Sequence, residues 1–135
     1  MRGFAKVRAA QPTLLSATIV SVETDLSRGL YSFSMVGLPD KAVEEARDRV
    51  SAAIKHAGFD SPKSQNHKVT ISLAPAELKK EGAYFDLPIA LSYLLAADAV
   101  SFDPSNKLFA GELSLDGNLR PVRGILSIAR KAKEM

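Results

Sequence analysis

The sequence predicts an α+β domain, a two-layer mixed sheet with helices on one face. Three observations carry that expectation. Tyr31, Phe33 and Met35 alternate with Ser32 and Ser34, and Val69, Ile71 and Leu73 alternate with Thr70 and Ser72, the period of half-buried strands. Between them, Lys41 to Ala57 repeats its apolar residues at helical spacing. The order of segments is three strands, helix, strand, helix, hairpin, helix, which folds most simply as helices laid on a sheet.

Phe4 to Ala10 is the first, short strand, and Ala17 to Glu23 the second, with Ile19, Val20 and Val22. Asp25 to Gly29 are turn residues that would join the second strand to Leu30–Val36, giving a meander. Gly37, Leu38 and Pro39 break the third strand, and Asp40 can cap the helix that follows. In that helix Val43, Ala46, Val50, Ala53, Ile54 and Ala57 form the inward stripe, and Gly58 stops it. Glu44 and Glu45 sit near the positive end of its dipole. Glu45 and Arg49 form an (i, i+4) pair worth about 0.3 kcal/mol.

Phe59 to Gln65 is a polar connector, and the strand around Ile71 ends at Pro75. The loop Glu77 to Gly82 carries Lys79, Lys80 and Glu81. Asp86 stands where an N-cap belongs, with Pro88 in the first helical turn. Leu87, Ala90, Leu91, Leu94 and Leu95 read as the apolar face of this second helix. Lys107 to Leu115 reads as a strand, Asp116-Gly117 as a two-residue hairpin turn, and Asn118 to Val122 as the return. Gly124 introduces a last helix, with Ile125, Ile128, Ala129 and Ala132 inward and Arg130, Lys131 and Lys133 outward. The sequence stops inside that helix, which reads as a fragment boundary. Residues 1–135 would then be one domain of a longer polypeptide.

Hydrophobic residues make up 46% and charged residues 24%, an ordinary globular balance that argues against disorder. No run reaches the length of a membrane span, and the N-terminus lacks the apolar core of a signal peptide. Cysteine is absent, which excludes a disulfide framework and thiolate metal sites and fits a cytoplasmic protein. His56 and His67 alone cannot build a typical zinc site, so no metal site is expected. The net charge of +3 permits nucleic-acid contact without arguing for it. No P-loop and no G-x-G-x-x-G occurs, so no nucleotide cofactor is expected in this chain.

Three ordered blocks carry a resemblance. They are Val36-Gly-Leu-Pro-Asp-Lys-Ala-Val-Glu-Glu-Ala-Arg-Asp-Arg-Val50; Leu73-Ala-Pro-Ala-Glu-Leu-Lys-Lys-Glu-Gly82 with Phe85-Asp-Leu-Pro-Ile-Ala90; and Gly111-Glu-Leu-Ser-Leu-Asp-Gly-Asn-Leu-Arg-Pro-Val-Arg-Gly124. Together they resemble the N-terminal domain of the YifB/ComM family of magnesium-chelatase-related AAA+ ATPases. The resemblance implies a fold like the Lon proteolytic domain, the ribosomal-protein-S-five domain-two fold and the C-terminal domain of RadA. It implies a following AAA+ module that binds ATP and magnesium, a homohexamer, and, for ComM-like members, a motor on branched DNA in natural transformation.

Lon-type proteases use a serine in a P-K-D-G-P-S-A-G block and a lysine after G-G-L. Set against those blocks, this sequence is similar in Lys80-Glu-Gly-Ala-Tyr-Phe-Asp86 and Pro121-Val-Arg-Gly-Ile-Leu126, with Tyr84 and Leu126 at the dyad positions. A phenol and an isobutyl group cannot replace a hydroxyl nucleophile and an amine base. The expectation is therefore a non-catalytic domain for assembly, DNA engagement, or both. Its partners would be its own AAA+ module, neighbouring subunits and DNA. Lys79, Lys80, Arg120 and Arg123 are the candidate DNA contacts, from two loops that would meet at one sheet end. The alternative is a residual serine hydrolase using Ser72 or Thr70 on the central strand. Tyr84 and Phe85 are either packing residues or stacking platforms for bases.

Overall fold

In the computed structural model, residues 3–135 are described. Met1 and Arg2, the start of the stretch read above for a leader, lie outside them. Four strands form one mixed sheet: β1 (Phe4–Pro12), β2 (Ala17–Arg28), β3 (Ser32–Val36) and β4 (His67–Ala74), in the order β1-β2-β4-β3. β1 and β2 are an antiparallel hairpin, β2 and β4 are antiparallel, and β3 is parallel to β4. The meander expected of β2 and β3 is not formed, because β4 lies between them. Burial explains the order. Val69, Ile71 and Leu73 of β4 are all fully covered, which requires a central position, whereas no residue of β3 is buried. Gly37 ends β3 at φ 107°, where a Cβ would collide with the Leu73 carbonyl.

The expected single helix 41–57 is two, α1 (Lys41–Glu44) and α2 (Ala46–His56). Asp40 caps α1 by accepting from the Val43 N–H at 2.8 Å. At the break, the Ala42 carbonyl accepts from Arg49 Nη2 at 2.9 Å. Val43, Ala46, Val50, Ala53 and Ile54 point inward as the spacing predicts, but Ala57 is exposed.

α3 (Asp86–Ala96) lies across β1 and β2 with α2 beside it. It is buried on nearly every side, so the predicted stripe is shifted. Ile89, Ala90, Tyr93, Leu94, Leu95 and Ala96 face the core, while Leu87 and Leu91 are half-exposed. Burial of Ser92 is satisfied by a 2.6 Å hydrogen bond with Thr24 of β2. At the start of β4, buried His67 Nδ1 lies 2.9 Å from the Tyr93 hydroxyl. Tyr93 is pushed up to about 12 by burial, with the charges of Tyr31 and Asp60 adding to it.

Only two residues of the predicted strand 107–115 pair, as β5 (Glu112–Leu113) with β6 (Leu119–Arg120). The residues before β5 bind other partners. Phe109 N–H donates to Arg8 on the β1 edge at 2.9 Å, and Gly111 exchanges bonds with Tyr84 and Leu87. The hairpin turn is longer than two residues: Gly117 N–H bonds the Ser114 carbonyl at 3.0 Å, and Gly117 takes φ 94°. α4 (Ile125–Glu134) rests on a second, small apolar cluster of Ala10, Ala17 and Ile128. Ile128 is its one buried residue; Ile125, Ala129 and Ala132 are exposed, against the inward stripe read from the sequence.

Candidate interaction surface

Three pieces of chain meet at one end of the sheet, the β1–β2 hairpin end, the loop 75–85 and the N-terminus of α4, and the β5–β6 hairpin leads into α4 from along α2 and α3. Gln11, buried on β1, fastens the loop. Its Nε2 donates to the Lys79 carbonyl at 3.0 Å, and its Oε1 accepts from the Glu81 N–H at 2.8 Å. Gly124, at the head of α4, abuts Pro12 so closely that a Cβ would meet that ring 2.6 Å away. Tyr84 packs against the Ala10, Ala17 and Ile128 cluster.

The four candidate cations fare differently. Lys80 is wholly buried, which removes it from any list of surface contacts. Its Nζ donates to the Pro75 carbonyl, and burial lowers its pKa against the opposing pull of Glu77. Lys79 is exposed, with its backbone carbonyl held by Gln11. Arg120 is exposed and sits 3.8 Å from Glu112 across the hairpin, and Arg123 is exposed. The fold brings Lys79 and Arg123 toward one end of β1, through Gln11 and Pro12.

Asp86 is not an N-cap. Its buried carboxylate accepts from Arg49 Nε at 2.7 Å and Nη2 at 3.0 Å, and from the Leu113 N–H at 3.0 Å. One side chain thus ties α2, α3 and β5 together. Burial pushes the Asp86 carboxyl up, against Arg49 and the Leu113 N–H, while the hydrogen bond to Asp86 holds Arg49 above its ordinary value. The two directions fit one pair, because the desolvation falls mostly on the fully covered carboxylate. Arg49 also lies 3.9 Å from Glu45, the pairing expected from sequence, but Asp86 is its closer partner.

Ser72 and Thr70 lie on the sheet face opposite the main core, with Glu23 and Asp25 across from them on β2. Carboxylates beside a hydroxyl are not the lysine or histidine that would activate it. Among the described residues no three His, Asp or Glu side chains group as metal ligands, and no helix is long and apolar enough to cross a membrane. His56 ends α2, and His67 is buried against Tyr93.

What sequence reasoning missed at this end is apolar. Leu14 and Leu15, at the tip of the β1–β2 hairpin, are 95% and 88% exposed. Leu126 is 70% exposed, and Leu119 and Ile125 are more than half exposed. Leu119, Pro121, Val122 and Ile125 line a shallow cleft with Arg120. The adjacent leucines in the turn Thr13–Ser16 were the available signal, since turn tips favour polar residues.

The chain is similar to several known proteins. The family described as subunit ChlI of Mg-chelatase matches residues 22–135. A protein called YifB in Escherichia coli is 45% identical over 122 residues, 87% of this chain and 23% of that protein. Competence protein ComM of Haemophilus influenzae is 43% identical over 113 residues, 83% of this chain and 22% of its own length. A Mycobacterium bovis protein named Mb2921c is 42% identical over 120 residues, 88% of this chain and 23% of that protein. The chain therefore spans under a quarter of the length of these relatives. It belongs to the ChlI family of magnesium-chelatase-related proteins, in the group that includes YifB and ComM.

Proposed function

We propose that this chain is a non-catalytic N-terminal domain of a ComM/YifB-like AAA+ ATPase and serves its assembly. The observation that carries the reading is the cluster of exposed leucines, with Ile125, at one end of an otherwise well-packed domain. A soluble monomer rarely leaves such a surface bare, so it fits contact with the ATPase module or a neighbouring subunit. In the resemblance to Lon the same end holds the catalytic dyad, and here Tyr84 and Leu126 stand at those positions. ATP and magnesium would be bound by the AAA+ module, the assembly would be a homohexamer, and the site of action the cytoplasm. The test is made in the longer polypeptide, with Leu14→Ser/Leu15→Ser and Ile125→Ser/Leu126→Ser variants examined by analytical ultracentrifugation with ATP. Loss of the assembled species while the domain stays folded supports the reading. Unchanged assembly in both variants overturns it.

A second reading, DNA engagement in branch migration, is favoured by basic residues around the same end. Arg120 and Arg123 precede α4 in the chain, Lys79 is exposed in the loop fastened to Gln11, and α4 adds Arg130, Lys131 and Lys133 further along β1. Such cations attract phosphate without reading sequence, so the isolated domain should bind DNA with a dissociation constant of about 10⁻⁴–10⁻⁶ M, weakening steeply with salt. Fluorescence anisotropy with forked DNA, on wild type and on Lys79→Glu/Arg120→Glu/Arg123→Glu, measures this. Equal binding by the two proteins rules these three residues out as contacts.

A further inference from the structure

The two edges of the main sheet are built differently. β1 is protected: its exposed residues include Lys6 and Arg8, and the segment around Phe109 bonds to it through the Arg8 carbonyl. Charges and a covering segment are the usual ways a protein blunts an edge. β3 has neither. From Leu30 to Leu38 the chain carries no charged residue, and β3 pairs only with β4 among the described strands. Leu30 is 89% exposed at one end, and Val36 and Leu38 are half exposed at the other. Phe33 and Met35, which turn toward the main core, remain only partly covered by it.

We propose that β3 is a self-association edge, which pairs antiparallel with β3 of a second copy and joins the two four-stranded sheets into one. The occupant follows from symmetry and from the apolar residues that β3 leaves partly bare. The one antiparallel register that overlaps all five residues of Ser32–Val36 places Ser34 on the two-fold axis. It sets Phe33 opposite Met35 of the other copy, on the face that carries the helices, so each covers what the other leaves bare. The strand itself is uncharged, so the pairing sets no like charges of β3 against each other. The leucine surface at the other end does not suit a second copy face to face, because Arg120, Arg123, Arg130, Lys131 and Lys133 would be brought against their own counterparts.

A strand pair this short gives a small interface, so the dimer exchanges with monomer. Sedimentation equilibrium of the 135-residue chain from about 10 μM to about 1 mM should show the mass rise toward twice the monomer value, in keeping with a weak, transient interface. Amide exchange at residues 32–36 should slow over the same range. Ser34 is exposed, so Ser34→Lys will fold, and it places two ammonium groups across the axis. That variant should stay monomeric, as should Ser34→Asp alone, and an equimolar mixture of the two should recover the dimer. A wild type that is monomeric throughout overturns the proposal. So does a Ser34→Lys protein that dimerises as the wild type does, or a mass that climbs beyond the dimer.

Discussion

His67 and Tyr93 meet in the interior, and the burial of the imidazole there makes the folded protein sensitive to acid. Burial holds the His67 imidazole below its ordinary value of 6.5. As the pH falls through that value, the unfolded chain takes up a proton that the folded chain still refuses. Stability present above about pH 6.5 is then lost toward the lower folded pKa, at no more than about 1.4 kcal/mol per pH unit for one proton. The urea midpoint of the wild type should fall between about pH 7 and about pH 5, and that of His67→Gln should fall less. Equal slopes for the two proteins would count against it. Lys79 and Lys80 make a second contrast at this scale. Lys80→Glu buries a carboxylate beside the Pro75 carbonyl and should cost roughly 3 kcal/mol or more, whereas Lys79→Glu should change stability by about 0.5 kcal/mol or less. Denaturation curves that coincide for the two variants would place Lys80 at the surface. The sequence shows two adjacent lysines and no difference between them. Their opposite fates are set by Gln11, which lies on another strand and leaves no local mark.

Among the elements, α3 is the one most completely enclosed, and its register matters more than its amphipathic pattern. Ile89→Ala removes a fully buried side chain and should cost roughly 2–5 kcal/mol. Leu91, the residue a simple helical stripe would place at the centre, is half-exposed, and Leu91→Ala should cost clearly less, about 1 kcal/mol. Guanidinium denaturation of the pair decides it, and a larger loss for Leu91 would contradict the packing described. The strands β1 to β4 and the stripe of α2 were legible because one face is wet and the other dry, so polarity alternates. The face of α3 was not, because a helix covered on all sides carries no such contrast. The break at Glu45 was hidden for another reason: Arg49 reaches back to the Ala42 carbonyl and across to Asp86, and a tertiary partner is invisible to spacing.

For the molecule as a whole, the main core and the small cluster under α4 contribute unequally. α4 gives Ile128 to that cluster and little else, so deleting residues 125–135 should leave one cooperative unfolding transition, weakened by about 2 kcal/mol. Circular dichroism through a urea titration would show it, and loss of the transition would mean that α4 is integral to the fold. The order of strands lay beyond the sequence pattern, since alternation fixes which face is buried but not which strand is a neighbour. The amide of Gln11 closes the account of the loop 75–85. It offers one donor and one acceptor to backbone groups on either side of Lys80, and so sets which way that residue points. The loop is consequently not portable. Grafted onto another scaffold without a matching amide beneath it, the same residues would turn their second lysine outward, and a loop that shows Glu77, Lys79 and Glu81 to solvent would gain a second exposed cation.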